Sequence, residues 1–427
     1  MTTTVFNTGR FFPDRWALRA RYLFPVVGPP IADGVITIDN GAVIAVGRDA
    51  LGAQVVDLGN VALFPALINA HTHLELSGLP TPLGTSGMPF TDWVRLVVAY
   101  RRAAPAYQTD ILRGQGECAS LGQAAVGDVT TTPWAGQNGL AAATVFYETI
   151  GLRRELIGAR LAAARDSITQ ARRLGFRPGL CPHAPYSVHP ELFAELVRLA
   201  AAQRVPLSFH LAETREELEL LAGGAGPFRE LLVELNAWEA AAISPGTRPL
   251  DYLRTLAAGG GRALVVHGNY LDDEEIGFLA AEADRISLVY CPRTHAFFGH
   301  SRHPLPRLLA AGANVALGTD SRASNPDLNL FEELRHVASH FPELPPSTVL
   351  ELATLRSARA LGIDQHLGSL EPGKAAAIAG IGLPNSANAD PYELLFAADG
   401  QPSLAGDIDR DGPSPCWPAQ NDRVSHG

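Results

Sequence analysis

A chain of 427 residues with 46% hydrophobic and 18% charged residues has enough apolar surface for a large core, which excludes a mainly disordered polymer. Its formal net charge of −10, with no cluster of Lys or Arg to override that average, argues against nucleic acid as a partner. The opening MTTTVFNTGRFFPDRWALRA lacks the basic segment and apolar core of a secretory signal, and no later run reaches the roughly eighteen apolar residues of a membrane span, so a cytoplasmic protein without a membrane partner is expected.

The first elements are two alternating apolar segments in GVITIDNGAVIAVG, joined at Asp39-Asn40-Gly41, a strong two-residue hairpin signal. They predict a small antiparallel domain within residues 1–62. From there short apolar strands alternate with amphipathic helices, the grammar of parallel βα units. VALFPALI reads as a buried strand running into NAHTHLELS. Side chains at i and i+2 of a strand share a face, so His71 and His73 converge on one point, and two convergent imidazoles suggest a metal.

Further strands are expected to end near VTTTP (129–133), VFYET (145–149), GLCPHAP (179–185), PLSFH (206–210), LVVHG (264–268), SLVYC (287–291) and NVALGTD (314–320). With the strand before His71 they number eight, the count of a (β/α)8 barrel, here over residues 63–363. Leu192, Leu196 and Leu199 share one helical face, as do Leu330, Leu334, Val337 and Phe341, and these faces should cover the sheet. No glycine-rich phosphate turn follows the first strand, which argues against a doubly wound sheet. Residues 80–120 and 214–262 lengthen two connections, either shaping a substrate pocket or padding the barrel outside. Beyond residue 364, apolar pieces in LGSLEPGKAAAIAGI are expected to return to the hairpin. The fold expected is therefore α/β, a TIM-like barrel with a small β-sandwich built from residues 1–62 and 364–427. The last twenty or so residues read as a poorly ordered tail.

Polar residues gather at the carboxyl ends of the expected strands, where such barrels build their sites: His210 and Glu213 in SFHLAET, His267 in VVHGN, Asp320 in ALGTDS. Singly, each is a common strand-end cap. Together with His71 and His73 on one rim they point to a metal site. Cys118, Cys181, Cys291 and Cys416 lie far apart without a Cys-x-x-Cys pair, and read as small hydrophobes rather than thiolate ligands.

The series HTH, HLAE, VVHGN and GTDS, in this order on an eightfold barrel flanked by terminal strands, resembles the amidohydrolase superfamily in its chlorohydrolase and aminohydrolase (deaminase) branch. The resemblance spans nearly the whole chain. It implies one divalent ion, Zn2+ first and Fe2+ second, held by the residues matching His71, His73, His210 and Asp320. It implies catalytic work for Asp320 in taking a proton from water, for His267 in orienting the nucleophile, and for Glu213 in protonating a ring nitrogen and the departing amine. Binuclear members bridge two ions with a carboxylated lysine after the fourth strand, but the only lysine here is Lys374, which excludes that arrangement. His183, in CPHAPYS, resembles the substrate-contacting histidine of nucleoside and purine deaminases in this branch.

The stretches HTHLELS, FTDWVRLVVAYRR, FYETIG, CPRTHAFFGH and GTDSRASNPDLNLFEELR look most like aminodeoxyfutalosine deaminases, with methylthioadenosine/S-adenosylhomocysteine deaminases next and guanine-type or triazine-type aminohydrolases after them. The expected partner is thus a small-molecule substrate, and because dimers are common in this branch a homodimer is one expectation. Glu75, Trp93, Glu148, Arg293 and His295 are further candidate substrate contacts; Ser321 is expected to orient Asp320, and His300 and His303, further out, to lie at the surface. Where members read Pro-Gly-Lys-Ala-Asp before the C-terminal strands, this chain reads Pro372-Gly373-Lys374-Ala375-Ala376, which puts the packing of the small domain in question. Outside deamination stand a hydrolase of chloride or acyl groups and, as a non-enzyme, a metal-free barrel scaffold, which every retained ligand argues against.

Overall fold

The computed structural model describes residues 15–103, 108–134, 136, 139–386 and 390–404. Its N-terminal strands are β1 (Arg15–Leu23), β2 (Ile31–Asp39), β3 (Ala42–Gly47), β4 (Gln54–Asp57) and β5 (Val61–Pro65). Eight parallel strands follow: β6 (Leu67–Thr72), β7 (Gln123–Thr130), β8 (Ala142–Thr149), β9 (Arg177–Pro182), β10 (Leu207–Leu211), β11 (Ala263–His267), β12 (Ile286–Tyr290) and β13 (Asn314–Leu317). β14 (Ile378–Gly382) and β15 (Ser403–Leu404) complete the described set.

The expected hairpin is present. Asn40 and Gly41 both take left-handed backbone, with φ of 49° and 74°, as a type I′ turn requires, and Asp39 pairs with Ala42 across it. The domain around it is mixed rather than purely antiparallel, because after β3 the chain returns beside β1 and both β4 and β5 pair with β1 in parallel. The sheet runs β15-β14-β5-β1-β2-β3, with β4 also on β1, so both ends of the chain build it. The segment with Ala376 in place of the usual Asp still docks: Val43 N–H donates to the Lys374 carbonyl at 2.9 Å, and Ala376 N–H to that of Gly41 at 2.8 Å.

VALFPALI, read as one strand, is two. Val61–Pro65 belongs to the small sheet and Leu67–Thr72 to the barrel, and the change occurs at Ala66, whose N–H donates to Ala377 while that of Leu67 donates to Gly122. Both halves are fully buried, so hydrophobicity leaves no mark of the division.

β6 to β13 stand in sequence order, and the ring closes where Thr319 N–H and Asp320 N–H both reach the His71 carbonyl at 3.1 Å. The helices Pro190–Gln203 and Leu330–His340 bury the predicted faces, Leu192, Leu196 and Leu199 on one and Leu330, Leu334 and Val337 on the other, with Phe341 buried just past the second helix. The two long connections fold as helices, Phe90–Ala103 and Gln108–Ser120 in the first, Arg215–Gly223, Pro227–Glu234 and Pro249–Ala258 in the second. They meet over the carboxyl rim, where Phe90 contacts Phe228 at 6.0 Å and Phe298 at 4.9 Å between ring centroids, and Phe228 stacks on Tyr186. No described helix is long and apolar enough to cross a membrane. Cys118, Cys181 and Cys291 are free and buried; Cys416 and the tail lie outside the described residues.

Candidate active site

Four strand ends bring the polar residues together. His71 is the last residue but one of β6, and His73 lies just past the strand; their rings meet edge to face at 4.9 Å. Each presents Nε2 to Asp320 Oδ1 at 3.6 Å. Thr72, between them, donates its hydroxyl to the Asp320 carbonyl at 2.9 Å, so one turn of chain fixes both ends of the ring closure. His210 in β10 sets Nδ1 2.9 Å from the His183 carbonyl; Nδ1 therefore carries the proton and Nε2 is left as a lone-pair donor. His267, ending β11, lies 6.0 Å from His71 and 5.4 Å from His210 between ring centroids.

The backbone is strained at these ends. Ala212, His267 and Asp320 take left-handed backbone, with φ of 52°, 72° and 56°, a conformation non-glycine residues adopt rarely and functional sites concentrate.

A divalent ion fits this donor set. Donor atoms of His71, His73 and Asp320 lie within 4.8 Å of one another, as do those of His71, His210 and His267. Both ring nitrogens of His71 and Nδ1 of His73 are buried without a hydrogen-bond partner, and each such orphan costs about 1–3 kcal/mol unless something engages it. Imidazole and carboxylate are the donors zinc takes.

Electrostatics divides the groups by role. Burial holds His73 at about 3 and His267 at about 3, and it pushes His210 well below its ordinary value, helped there by the neighbouring imidazoles. Burial would raise Asp320, but its close approach to His71 and the charges of His73 and His267 outweigh it and hold the carboxylate below its usual range. Glu213 goes the other way. Burial first, then the charges of Asp320 and Glu217, push it well above the carboxylate range, and its Oε1 lies 3.3 Å from His267 Nε2.

On the opposite side of the rim, Glu75 in the 3-10 turn Leu74–Leu76 accepts Thr131 N–H and hydroxyl at 2.9 and 2.8 Å. Arg101 then bridges Glu75, at 2.6 Å, and Glu148, at 3.0 Å. Glu148 lies 3.9 Å from His183 Nε2, and the His183 Nδ1 meets Ser187 Oγ at 2.7 Å. Glu75, Glu148 and His183 thus form one wall, which Arg101 holds together. Sequence reasoning did not single out Arg101, although helical spacing marks it: Trp93, Val97 and Arg101 recur every fourth residue on one face.

The remaining candidates are placed differently. Trp93 donates Nε1–H to the Ala323 carbonyl at 2.9 Å and packs its ring on Phe90 and Phe298. The Arg293 guanidinium is taken up by Glu333 at 2.7 Å and Asp327 at 2.6 Å, leaving it engaged inside the fold rather than offered to a ligand. His295 has Nε2 on the Ser301 carbonyl at 2.9 Å. His303, expected at the surface, is instead buried: it stacks on Tyr290 and places Nε2 3.0 Å from the His267 carbonyl, because the chain after β12 folds inward under the rim. His300 is half-buried against the Tyr270 hydroxyl at 3.0 Å. The hydroxyl that touches Asp320 belongs to Ser324, donating to Oδ2 at 3.0 Å, whereas Ser321 Oγ accepts the Ala323 N–H.

Residues 62–407 match the amidohydrolase family. The chain is 29% identical over 364 residues to an aminodeoxyfutalosine deaminase of Deinococcus radiodurans, covering 80% of this chain and 84% of that one. It is also 29% identical over 412 residues to a 5-methylthioadenosine/S-adenosylhomocysteine deaminase of Moorella thermoacetica, covering 88% and 89%. Among solved structures, Helicobacter pylori aminofutalosine deaminase in complex with methylthio-coformycin superposes with a TM-score of 0.76 at 22% identity, covering 89% of this chain and 95% of that one. With that match over residues 62–407 and a buried imidazole and carboxylate cluster on the barrel rim, the chain belongs to the amidohydrolase family.

Proposed function

We propose that the protein deaminates an adenine nucleoside, aminodeoxyfutalosine first and methylthioadenosine or S-adenosylhomocysteine second, with Zn2+ held by His71, His73, His210 and Asp320. The observation that carries the reading is Glu213 Oε1 set 3.3 Å from His267 Nε2, with burial pushing that carboxyl well above its usual range while Asp320 is held below its own. When bound, the ion lowers the pKa of water from 15.7 to roughly 7 and so supplies a nucleophile at neutral pH.

The chain's own residues do the rest. Asp320, ionised despite burial, accepts a proton from the attacking water at Oδ1, the oxygen facing His71 and His73, while Ser324 holds Oδ2 in place. His267, neutral at physiological pH, orients that water, with its Nε2 toward Glu213. Glu213 gives its proton to the ring nitrogen beside the carbon under attack, takes up the proton left on the added oxygen as the carbonyl forms, and passes it to the departing amine, which leaves as ammonia; the proton held by Asp320 then restores Glu213. Glu75, Glu148 and His183, kept in register by Arg101, line the side on which the sugar hydroxyls enter.

The test is ammonia release by metal-loaded protein from aminodeoxyfutalosine, methylthioadenosine, S-adenosylhomocysteine, adenosine, guanine and cytosine, with metal measured on the same sample. Selective turnover of one adenine nucleoside supports the reading. Silence across the panel with an ion bound would replace it with a halide or acyl substrate.

A further inference from the structure

We propose that Glu217 and Asn269 are positioning residues that together fix the aim of Glu213. The proposal deepens the acid role given to Glu213 and rests on it.

Residue 213 belongs to neither a strand nor a helix, so regular structure does not hold its backbone. Two side chains do. Glu217, the third residue of the helix Arg215–Gly223 and fully buried, accepts Glu213 N–H at 2.9 Å on one carboxylate oxygen and Ala212 N–H at 2.8 Å on the other. Asn269, two residues beyond His267 and buried, donates Nδ2–H to the Glu213 carbonyl at 2.9 Å. The N–H and the C=O of the same residue are thus held from two elements, one by the helix after β10 and one by the loop after β11.

The contacts exceed what helix capping needs. Thr214 caps the helix by accepting Glu217 N–H at 3.1 Å, and in the usual reciprocal arrangement the third residue's carboxylate returns to the cap residue's own N–H. Here the carboxylate reaches one and two residues further back, across the left-handed turn at Ala212. Tyr270 N–H on the Ala212 carbonyl at 3.2 Å and Gly268 N–H on that of Leu211 at 3.0 Å tie the two loops along the same line. What remains free at Glu213 is its side-chain torsions, and these set its oxygen against His267 Nε2.

Glu217→Gln keeps the shape but turns one acceptor into a donor facing an N–H; Asn269→Ala removes the opposing donor and serves where the first variant fails to fold. Each is made alone and on a Glu213→Gln background, and kcat, KM and bound metal are measured. The expected result is a fall in kcat of about 10- to 100-fold in the single variants, the cost of a misplaced reacting group, with KM and metal content within about twofold. On the Glu213→Gln background neither substitution lowers kcat further, because the group it aims is gone. An equal loss in both backgrounds, a kcat that falls in step with metal content, or no loss at all overturns the positioning role while leaving the acid role intact. Undiminished turnover of Glu213→Gln alone overturns the acid role itself.

Discussion

Two carboxyl groups at the rim, Asp320 and Glu213, are comparably buried, with side chains 8% and 6% exposed, yet they are driven in opposite directions. Asp320 has imidazole partners that hold it below the usual carboxylate range; Glu213 has burial and two negative neighbours that push it well above. Replacing Glu213 by Gln should lower kcat by about 10²- to 10⁴-fold, the usual contribution of a general acid, while metal bound per chain stays unchanged; ammonia release and metal analysis on one sample check this. Arg101 makes a second residue-scale prediction. Arg101→Met leaves Glu75 and Glu148 buried without their cation and should cost about 3 kcal/mol of stability, read from denaturant midpoints. The sign with pH follows from Glu148: burial opposes its charge, but Arg101 and His183 win and hold it at about 2, below the ordinary 4.5. Its contribution is complete above about 4.5 and lost as pH falls toward 2, so the gap between wild type and Arg101→Met should close on acidification. His71 and His73 were legible in the sequence because period two puts both on one face; Arg101 was not, because its partners lie 26 positions before it and 47 after it (101 − 75 and 148 − 101) and nothing local names them.

At the scale of elements, the barrel closes only because β13 can lie against β6 without a side chain between them. A Cβ at Gly318 would sit 2.7 Å from the His71 carbonyl oxygen and 2.9 Å from its Cβ, contacts real side chains do not tolerate. Gly318→Ala should therefore push Asp320 away from His71 and His73 and reduce the divalent metal retained after dialysis by about tenfold or more, with far-ultraviolet dichroism unchanged; full metal retention would show that the closure gives way elsewhere. The eight barrel strands, the hairpin and the two helix faces were all readable, because each imposes a period on its own residues. The division of VALFPALI was not, since both halves are buried on all sides, and neither was the parallel return of β4 and β5 to β1, which is set by pairing across sequence distance.

Over the whole molecule, a set of histidines is buried uncharged outside the proposed ligands. Burial, followed by neighbouring histidines or Arg215, holds His303 at about 3 and His295 and His300 at about 4, against an ordinary 6.5. The unfolded chain takes up these protons first, so their stability contribution is complete above about 6.5 and declines as pH falls toward 4 and 3. A urea midpoint lower at pH 5 than at pH 7.5, in metal-free protein, is the expected outcome, and equal midpoints would contradict it. The ring closure also carries a consequence for how the protein is made. Thr72 and Asp320 are 248 positions apart, and at roughly 5–20 residues per second a ribosome delivers the two edges of the cradle on the order of ten to fifty seconds apart. During that interval the imidazoles of His71 and His73 exist without their carboxylate, so the donor set is complete only once residue 320 has been made, and the ion available from then on decides how much of the protein becomes active.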